Sequence, residues 1–236
     1  MRFSTGCAAL ALALFSSPAL ADRPFDWTGF YVGAHGGYAW GDVSVVDTDG
    51  GVPYGAFDYK AKGGLGGLTA GYNLQFGVLV LGVEGDIGYL GPQGSKQIPS
   101  SDPAHHQDLT LAGGLYGDIT GRVGLALGQT LLYGKAGFAF FDGEAKQATT
   151  KVWYQPTGTE RFTGWTAGGG VEHALTPNLT VRVEYQHFDF GSQGGVQEKV
   201  ASSLPDADDG TPVGYKFHNE HSVTVDTLKL GVNFKF

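Results

Sequence analysis

Charged residues recur at alternate positions within otherwise apolar segments of this 236-residue chain. They are Glu84, Asp86, Asp118, Arg122, Lys135, Glu172, Arg182, Glu184 and Lys229. Side chains two residues apart share one face of a β-strand, so strands would bring these nine groups to a common face. Five acids and four bases nearly balance, which suits a network of buried ion pairs, because a buried charge must be paired. The same charges could instead line a gated path for ions or protons, and the residue types leave that alternative open.

Residue types suited to catalysis and metal binding are present, but their spacing does not favour either chemistry. A lipid-modifying hydrolase needs a His beside a Ser or an acid, held in orientation by a third group. His221 and Ser222 are adjacent, so they face opposite sides of a strand. His187 shares a face with Asp189, but its predicted strand contains no Ser. The two His at 105–106 lie in a polar segment and are expected to be solvated. We therefore expect no enzyme activity, no catalytic residue, no metal site and no cofactor.

Composition indicates a weakly charged β protein that is rich in glycine and aromatic residues. The chain has 40 Gly, 13% aromatic residues and 16% charged residues, where about 25% charged residues is usual. Its net charge of −8 argues against nucleic acid as a partner. A single Cys excludes disulfide frameworks and zinc–thiolate sites, which need several.

The N-terminal segment predicts export. Arg2 precedes an apolar stretch at 7–15, and Ala19-Leu20-Ala21 forms an A-x-A cleavage site. The apolar stretch is shorter than the ~20 residues of a spanning helix. We predict a secretory signal peptide at 1–21 and a single folded domain at 22–236.

Period-two alternation of apolar and polar residues then predicts eight strands. They are expected at 28–40, 65–74, 78–89, 115–127, 131–141, 164–174, 179–190 and 227–236. Short connections alternate with long polar segments, which lie at 41–63, 91–108, 142–162 and 191–221. Eight antiparallel strands with both termini on one side produce this alternation, with short turns in the periplasm and long loops outside. The predicted fold is an all-β, eight-stranded, antiparallel up-and-down transmembrane β-barrel.

Aromatic residues favour a membrane barrel over a soluble sandwich or lipocalin-like barrel. They cluster at both ends of the predicted strands, as the two aromatic girdles of a membrane barrel do. By the long segments lie Trp40, Tyr89, Phe140, Trp165 and Phe188, and by the short turns lie Phe30, Tyr72, Phe76, Phe234 and Phe236.

The C-terminal strand carries a pattern of its own. Lys229, Gly231, Phe234 and the final Phe236 resemble the sorting signal that the barrel assembly machinery of the outer membrane reads. Such a signal can be recognised by strand addition, in which the C-terminal strand pairs through its backbone with an exposed strand of the machinery. Alternate side chains of the added strand then fill pockets of the machinery.

Several segments also resemble one protein family. They are 27–33 (WTGFYVG), 121–124 (GRVG), 132–134 (LYG), 164–178 (GWTAGGGVEHALTPN) and 184–185 (EY). They are similar to the small alphaproteobacterial outer-membrane β-barrels, RopB-like proteins related to the OmpA transmembrane domain. The resemblance implies a surface-exposed barrel in the cell outer membrane, with both termini periplasmic.

These expectations lead to a structural and surface-interaction role. The expected partners are outer-membrane lipid and lipopolysaccharide, the assembly machinery, and a host or surface ligand of the four long segments. A narrow, porin-like ion channel is the main alternative, since the charged face could conduct. A lipid A-modifying enzyme is the lesser alternative.

Overall fold

The structure is a computed structural model that describes residues 25–47, 56–99, 106–149, 153–156, 162–201 and 216–236. The predicted signal peptide lies outside the described residues. The strands are β1 (Gly29–Asp47), β2 (Ala56–Phe76), β3 (Leu79–Leu90), β4 (Gly94–Pro99), β5 (His106–Leu127), β6 (Thr130–Thr149), β7 (Trp153–Pro156), β8 (Phe162–Ala174), β9 (Leu179–Ala201) and β10 (Lys216–Lys235). Within these ranges, no helix is both long and apolar enough to cross a membrane.

The strands close into one antiparallel barrel. Eight long strands follow the order β10-β1-β2-β3-β5-β6-β8-β9, and β9 pairs back to β10. The short strand β4 continues the position of β3 along β5, and β7 continues the position of β8 along β9. Closure satisfies the backbone N–H and C=O groups of the two outermost strands, as a membrane-spanning sheet requires. The predicted fold class is therefore confirmed.

Three short connections lie at one end of the barrel, which we call the turn end. Gly77 and Gly128 have φ angles of 62° and 65°, a left-handed conformation that only glycine adopts without a steric penalty. In the third connection, the backbone N–H groups of Leu175 and Thr176 both donate to the carbonyl of Leu179. Both described chain ends lie here too, because the N–H of Phe236 donates to the carbonyl of Phe30.

At the opposite end, the hairpin end, the strands run further than the alternation predicts. β1 continues to Asp47 and β2 begins at Ala56, so most of the predicted loop 41–63 is paired strand. The predicted loops 91–108, 142–162 and 191–221 are likewise partly strand. In the extension of β1 and β2, outward residues such as Asp42, Lys60 and Lys62 are polar, while inward residues such as Val43 and Tyr59 stay buried. The pattern of apolar outward residues therefore ends there, while backbone pairing continues. Our loop boundaries were wrong for this reason.

The wall of the barrel is apolar outside and polar inside. Phe138 and Ile119 point outward and are 81% and 68% exposed, and the outward faces of all eight long strands carry similar side chains. The nine charged residues predicted from the sequence point inward and are buried. A soluble barrel would have the reverse arrangement, since it buries its apolar face. The outer wall therefore suits a lipid environment.

Aromatic side chains mark both ends of this wall, with one correction to the prediction. Trp40, Tyr89 and Trp165 are exposed near the hairpin end, and Phe30, Phe76, Phe234 and Phe236 are exposed near the turn end. Phe188 does not belong to a girdle, because it points into the barrel and is 1% exposed. It lies an even number of residues from the inward Arg182, so strand periodicity places it inside despite its position near a loop.

A charge placed on the outer wall should destabilise the barrel. Val183 points outward on β9, between the levels of the two aromatic girdles, so Val183→Lys should lower the free energy of unfolding by about 2–4 kcal/mol. Ser192 is exposed further along the same strand, so Ser192→Lys should change the free energy of unfolding by less than about 0.5 kcal/mol. Urea unfolding in lipid vesicles measures both values. Equal effects of the two variants would contradict our assignment of the outer face.

Candidate functional site

The candidate site is the interior of the barrel. An eight-stranded barrel encloses just enough space for side chains to fill it. A charged layer occupies the middle, and an apolar layer lies at each end. All nine charged residues predicted from the sequence are buried and belong to the middle layer.

The centre of the charged layer joins β3, β6 and β9. Lys135 Nζ donates to Glu84 Oε1 at 2.8 Å and to Asp86 Oδ2 at 2.9 Å. It also lies 3.0 Å from Glu184 Oε1. From the other side, Arg182 Nη1 donates to Glu84 Oε2 at 2.7 Å. Glu84 thus connects a lysine and an arginine that reach across the lumen from different strands.

A second group of contacts lies toward the turn end. Arg122 donates to Glu172 in a short contact, and its guanidinium stacks over the ring of Tyr133 with 3.6 Å to the centroid. Glu172 Oε1 also accepts from Thr180 Oγ1 at 2.5 Å and from Asn233 Nδ2 at 2.8 Å. The carboxylate is therefore satisfied by one cation and two neutral donors.

Toward the hairpin end, Lys229 and Asp118 are joined through an amide. Lys229 Nζ donates to Gln186 Oε1 at 2.6 Å, and Gln186 Nε2 donates to Asp118 Oδ2 at 3.2 Å. Lys229 Nζ also lies 3.6 Å from Glu184 Oε1 and 3.9 Å from Asp86 Oδ2. The structure thus brings all nine predicted charges into one contiguous network.

Neutral residues complete this network, and none of them was among the nine candidates predicted from the sequence. The two ring nitrogens of His35 have one partner each. Nδ1 lies 3.0 Å from Thr69 Oγ1, and Nε2 lies 2.5 Å from Tyr116 Oη. Tyr116 has the inward parity of Asp118 on its own strand, so the same periodicity could have found it. β1 and β2 carry none of the nine charges, so no charged neighbour on the strand pointed to His35 or Thr69. The remaining missed partners are Tyr31, Tyr133, Thr180, Gln186 and Asn233.

Glycine makes room for the large inward side chains. A Cβ at Gly71 would lie 2.4 Å from the Tyr31 ring, and one at Gly170 would lie 2.8 Å from Tyr133 Oη. Either contact is far inside van der Waals distance. The abundance of glycine in this chain is therefore partly a consequence of packing aromatic rings inside a narrow barrel.

An apolar layer closes each end of the lumen. At the hairpin end it includes Leu90, Phe141, Phe162, Phe188, Phe190 and Val223. At the turn end, the segment before β1 folds beneath the barrel, and the Trp27 side chain packs with Val80 and Leu131. The backbone N–H of Trp27 donates to Gln75 Oε1 at 2.8 Å. In that segment, the backbone N–H of Thr28 donates to Asp26 Oδ1. This hydrogen bond holds the pKa of the Asp26 carboxyl below its ordinary value.

Three carboxylates of the charged layer have the donor chemistry of a cation site. Oxygens of Glu84, Asp86 and Glu184 lie within 4.8 Å of one another. Lys135 Nζ already contacts an oxygen of each, at 2.8, 2.9 and 3.0 Å. The lysine ammonium therefore supplies the positive charge that this group of acids needs.

The central pairing can be tested by a double-mutant cycle. Arg182→Ala should lower the free energy of unfolding by about 3–5 kcal/mol if water is excluded, because it leaves a buried carboxylate short of its partner. Adding Glu84→Gln should recover part of this loss, since Arg182 donates directly to Glu84. Adding Glu172→Gln should recover none, because Glu172 pairs with Arg122. Equal recovery from both second substitutions, measured by urea unfolding, would contradict the contacts described above.

Comparisons with known proteins agree with this architecture. A family model described as outer membrane protein beta-barrel domain matches residues 7–236. The chain is 33% identical over 211 residues to the 22 kDa outer membrane protein of Rhizobium leguminosarum bv. viciae, covering 89% of this chain and 78% of that protein. It is 30% identical over 227 residues to the 31 kDa outer-membrane immunogenic protein of Brucella melitensis, covering 90% of this chain and 85% of that protein.

Solved structures with a similar backbone are more distant. Neisserial surface protein A is 17% identical, with a TM-score of 0.44, over 89% of this chain and 98% of that chain. The outer membrane protease OmpT of Escherichia coli is 9% identical, with a TM-score of 0.48, over 91% and 99%.

The match of the family model and the two bacterial relatives confirms the resemblance seen in the sequence. The relatives are both named as outer-membrane proteins, so the cell outer membrane is the location of this barrel. The chain belongs to the outer-membrane β-barrel protein family, among its small alphaproteobacterial members.

Proposed function

We propose that this protein is a closed, structural barrel that contacts lipopolysaccharide with its wall and presents its long hairpins at the cell surface. The observation that carries this proposal is the filled lumen. A conducting ion would have to cross two apolar layers and displace ion pairs between them. Short turns face the periplasm in barrels of this kind, so the turn end is periplasmic and the hairpin end is extracellular.

The ion-channel alternative uses the same charged residues but is less well supported. A conducting path needs charges that are free to exchange partners with a passing ion. Here Lys135 contacts three carboxylates and Glu84 contacts both Lys135 and Arg182. These groups are already neutralised by one another, so the network resembles a plug rather than a pore lining.

The geometry of the outward His also argues against catalysis. His187 Nδ1 lies 2.8 Å from Asp226 Oδ1 on the neighbouring strand, which resembles the orientation of a catalytic base. However, the hydroxyl of Tyr185 donates to the same carboxylate and not to the imidazole. In the described part of the chain, no Ser or Thr hydroxyl hydrogen-bonds the imidazole of His187, and the Thr166 hydroxyl donates only to the His187 backbone carbonyl. The imidazole is therefore not paired with the nucleophile that an acyl hydrolase needs. We propose that the protein is not an enzyme.

The hairpins supply the surface part of the proposed role. β9 and β10 stay paired as far as Glu198 and Lys216, well beyond the outer aromatic girdle. Strand pairing fixes the backbone of these two strands as far as these residues. The tips of the segments 41–63, 91–108, 142–162 and 191–221 are where we place recognition of a host or surface ligand.

Conductance of the purified protein in planar bilayers tests the closed lumen. We expect no reproducible open–closed steps for the wild type. The double variant Arg182→Ala/Phe188→Ala should raise conductance, because it removes bulk from the charged layer and from the extracellular apolar layer. Phe138→Ala, which removes an equally large ring from the outer wall, is the matched control and should stay silent. Regular steps from the wild type would overturn the closed barrel in favour of a channel.

Mass spectrometry of lipid A tests the absence of catalysis. Cells with and without the gene should carry the same lipid A acyl pattern. An acyl change that the wild-type gene restores and His187→Ala does not would show that the protein is a lipid-modifying enzyme.

A further inference from the structure

A polar cluster lies on the outer wall, where the strands otherwise present apolar side chains. Asp226 Oδ1 on β10 accepts from Tyr185 Oη at 2.6 Å and lies 2.8 Å from His187 Nδ1, both on β9. The side chains of His187 and Asp226 are 31% and 29% exposed, so they are half-buried against the wall. Ionisable groups on a lipid-facing surface are costly in the bilayer interior and indicate a functional site when they are held in a specific geometry.

The cluster lies at the level of the outer aromatic girdle. The ring of Trp165 is 5.5 Å from the ring of His187. Asp226 pairs directly with Trp40 on β1, and Trp40 pairs with Lys62 on β2. Trp40 and Lys62 both point outward and are exposed. Aromatic girdles mark the boundary between acyl chains and headgroups, so this cluster faces the headgroups of the outer leaflet.

Four side chains therefore form one row across four adjacent strands, which we call the outer-wall row: Lys62, Trp40, Asp226 and His187. Adjacent strands are about 4.8 Å apart, so Lys62 and His187 are separated by about 14 Å along the wall. A disaccharide with a phosphate at each end spans such a distance, whereas a single phospholipid headgroup is smaller.

The chemistry of the row fits a phosphorylated sugar. Because Nδ1 of His187 bonds Asp226, its Nε2 points away from the carboxylate, and no group in the described part of the chain bonds it. Nε2 of His187 at one end and the Lys62 ammonium at the other can each hydrogen-bond a phosphate. The Trp40 ring between them offers an apolar face to a sugar ring, and the second oxygen of Asp226 can accept from a hydroxyl.

We propose that the outer-wall row binds the phosphorylated disaccharide headgroup of lipopolysaccharide in the outer leaflet. The proposal rests on the proposed function, which puts lipopolysaccharide around the barrel, and adds the residues that hold it. Tyr185 is a positioning residue, since its hydrogen bond to Asp226 fixes the carboxylate that orients His187.

His173 provides a matched control on the same wall. It also points outward and is half-buried, and its Nδ1 lies 3.0 Å from Thr130 Oγ1. It lies at the periplasmic end of β8, beside the short turn that leads into β9. Substitution of His173 therefore removes an outward, hydrogen-bonded imidazole from the leaflet that should not contain lipopolysaccharide.

Titration of the refolded full barrel in detergent, followed by native mass spectrometry, tests the site. The probes are diphosphoryl lipid A and phosphatidylglycerol. The wild type should bind lipid A at least tenfold more tightly than phosphatidylglycerol. His187→Ala and Lys62→Gln should each weaken lipid A binding by about tenfold, which is the loss of one charge-assisted hydrogen bond. His173→Ala should bind as the wild type does.

Each outcome decides the proposal. Weaker lipid A binding by His187→Ala, with His173→Ala unchanged, supports the site. The proposal is overturned if His187→Ala binds lipid A with wild-type affinity, or if the wild type binds phosphatidylglycerol as tightly as lipid A. A loss of affinity confined to Lys62→Gln also overturns it, because that result indicates charge attraction alone. Heat-modifiable gel migration confirms folding of each variant, and Tyr185→Phe replaces His187→Ala if that variant does not fold. Failure here leaves the closed lumen intact, because conductance tests that part of the proposed function separately.

Discussion

The whole molecule depends on a backbone hydrogen-bond ladder that closes on itself between β1 and β10. Lipid offers no partner to a free N–H or C=O group, so a sheet that spans a membrane has no open edge. Closure gives each strand one face toward lipid and one toward the lumen, and the period of two fixes which residue takes which face. A single shift in register would exchange Arg182 and Val183 between lumen and lipid, so the register is strongly specified.

Because the lumen is narrow, the inward charged side chains must also pack against one another. Four cations and five carboxylates are buried together in a lumen just wide enough for side chains. Glu84 accepts from cations on two different strands, and Arg122 combines an ion pair with stacking over Tyr133. Buried ion pairs contribute little net stability compared with apolar packing, but an unpaired member is very costly. The network therefore penalises any arrangement of strands that separates its members.

The two apolar layers have a different origin, and sequence periodicity did not reveal them. Phe188 and Phe190 have the inward parity of Arg182, yet the aromatic character of Phe188 and its position near a loop suggested a girdle. Trp27 precedes the first strand and is buried at 2% exposure beneath the barrel, a position that alternation cannot describe. Both cases require knowing where the lumen ends, which depends on how eight strands tilt and close together.

The sequence by itself determined the fold class, the cores of the eight long strands, the direction of each inward charge and the family, because all of these follow from local periodicity and short motifs. Only the tertiary structure decided which charges meet, since Glu84 and Arg182 are 98 residues apart and pair across the lumen. It alone also placed Asp226 beside His187 and aligned both with Trp40 and Lys62. Partners on different strands are set by register and barrel closure, and these arise from the whole sheet and not from any one segment.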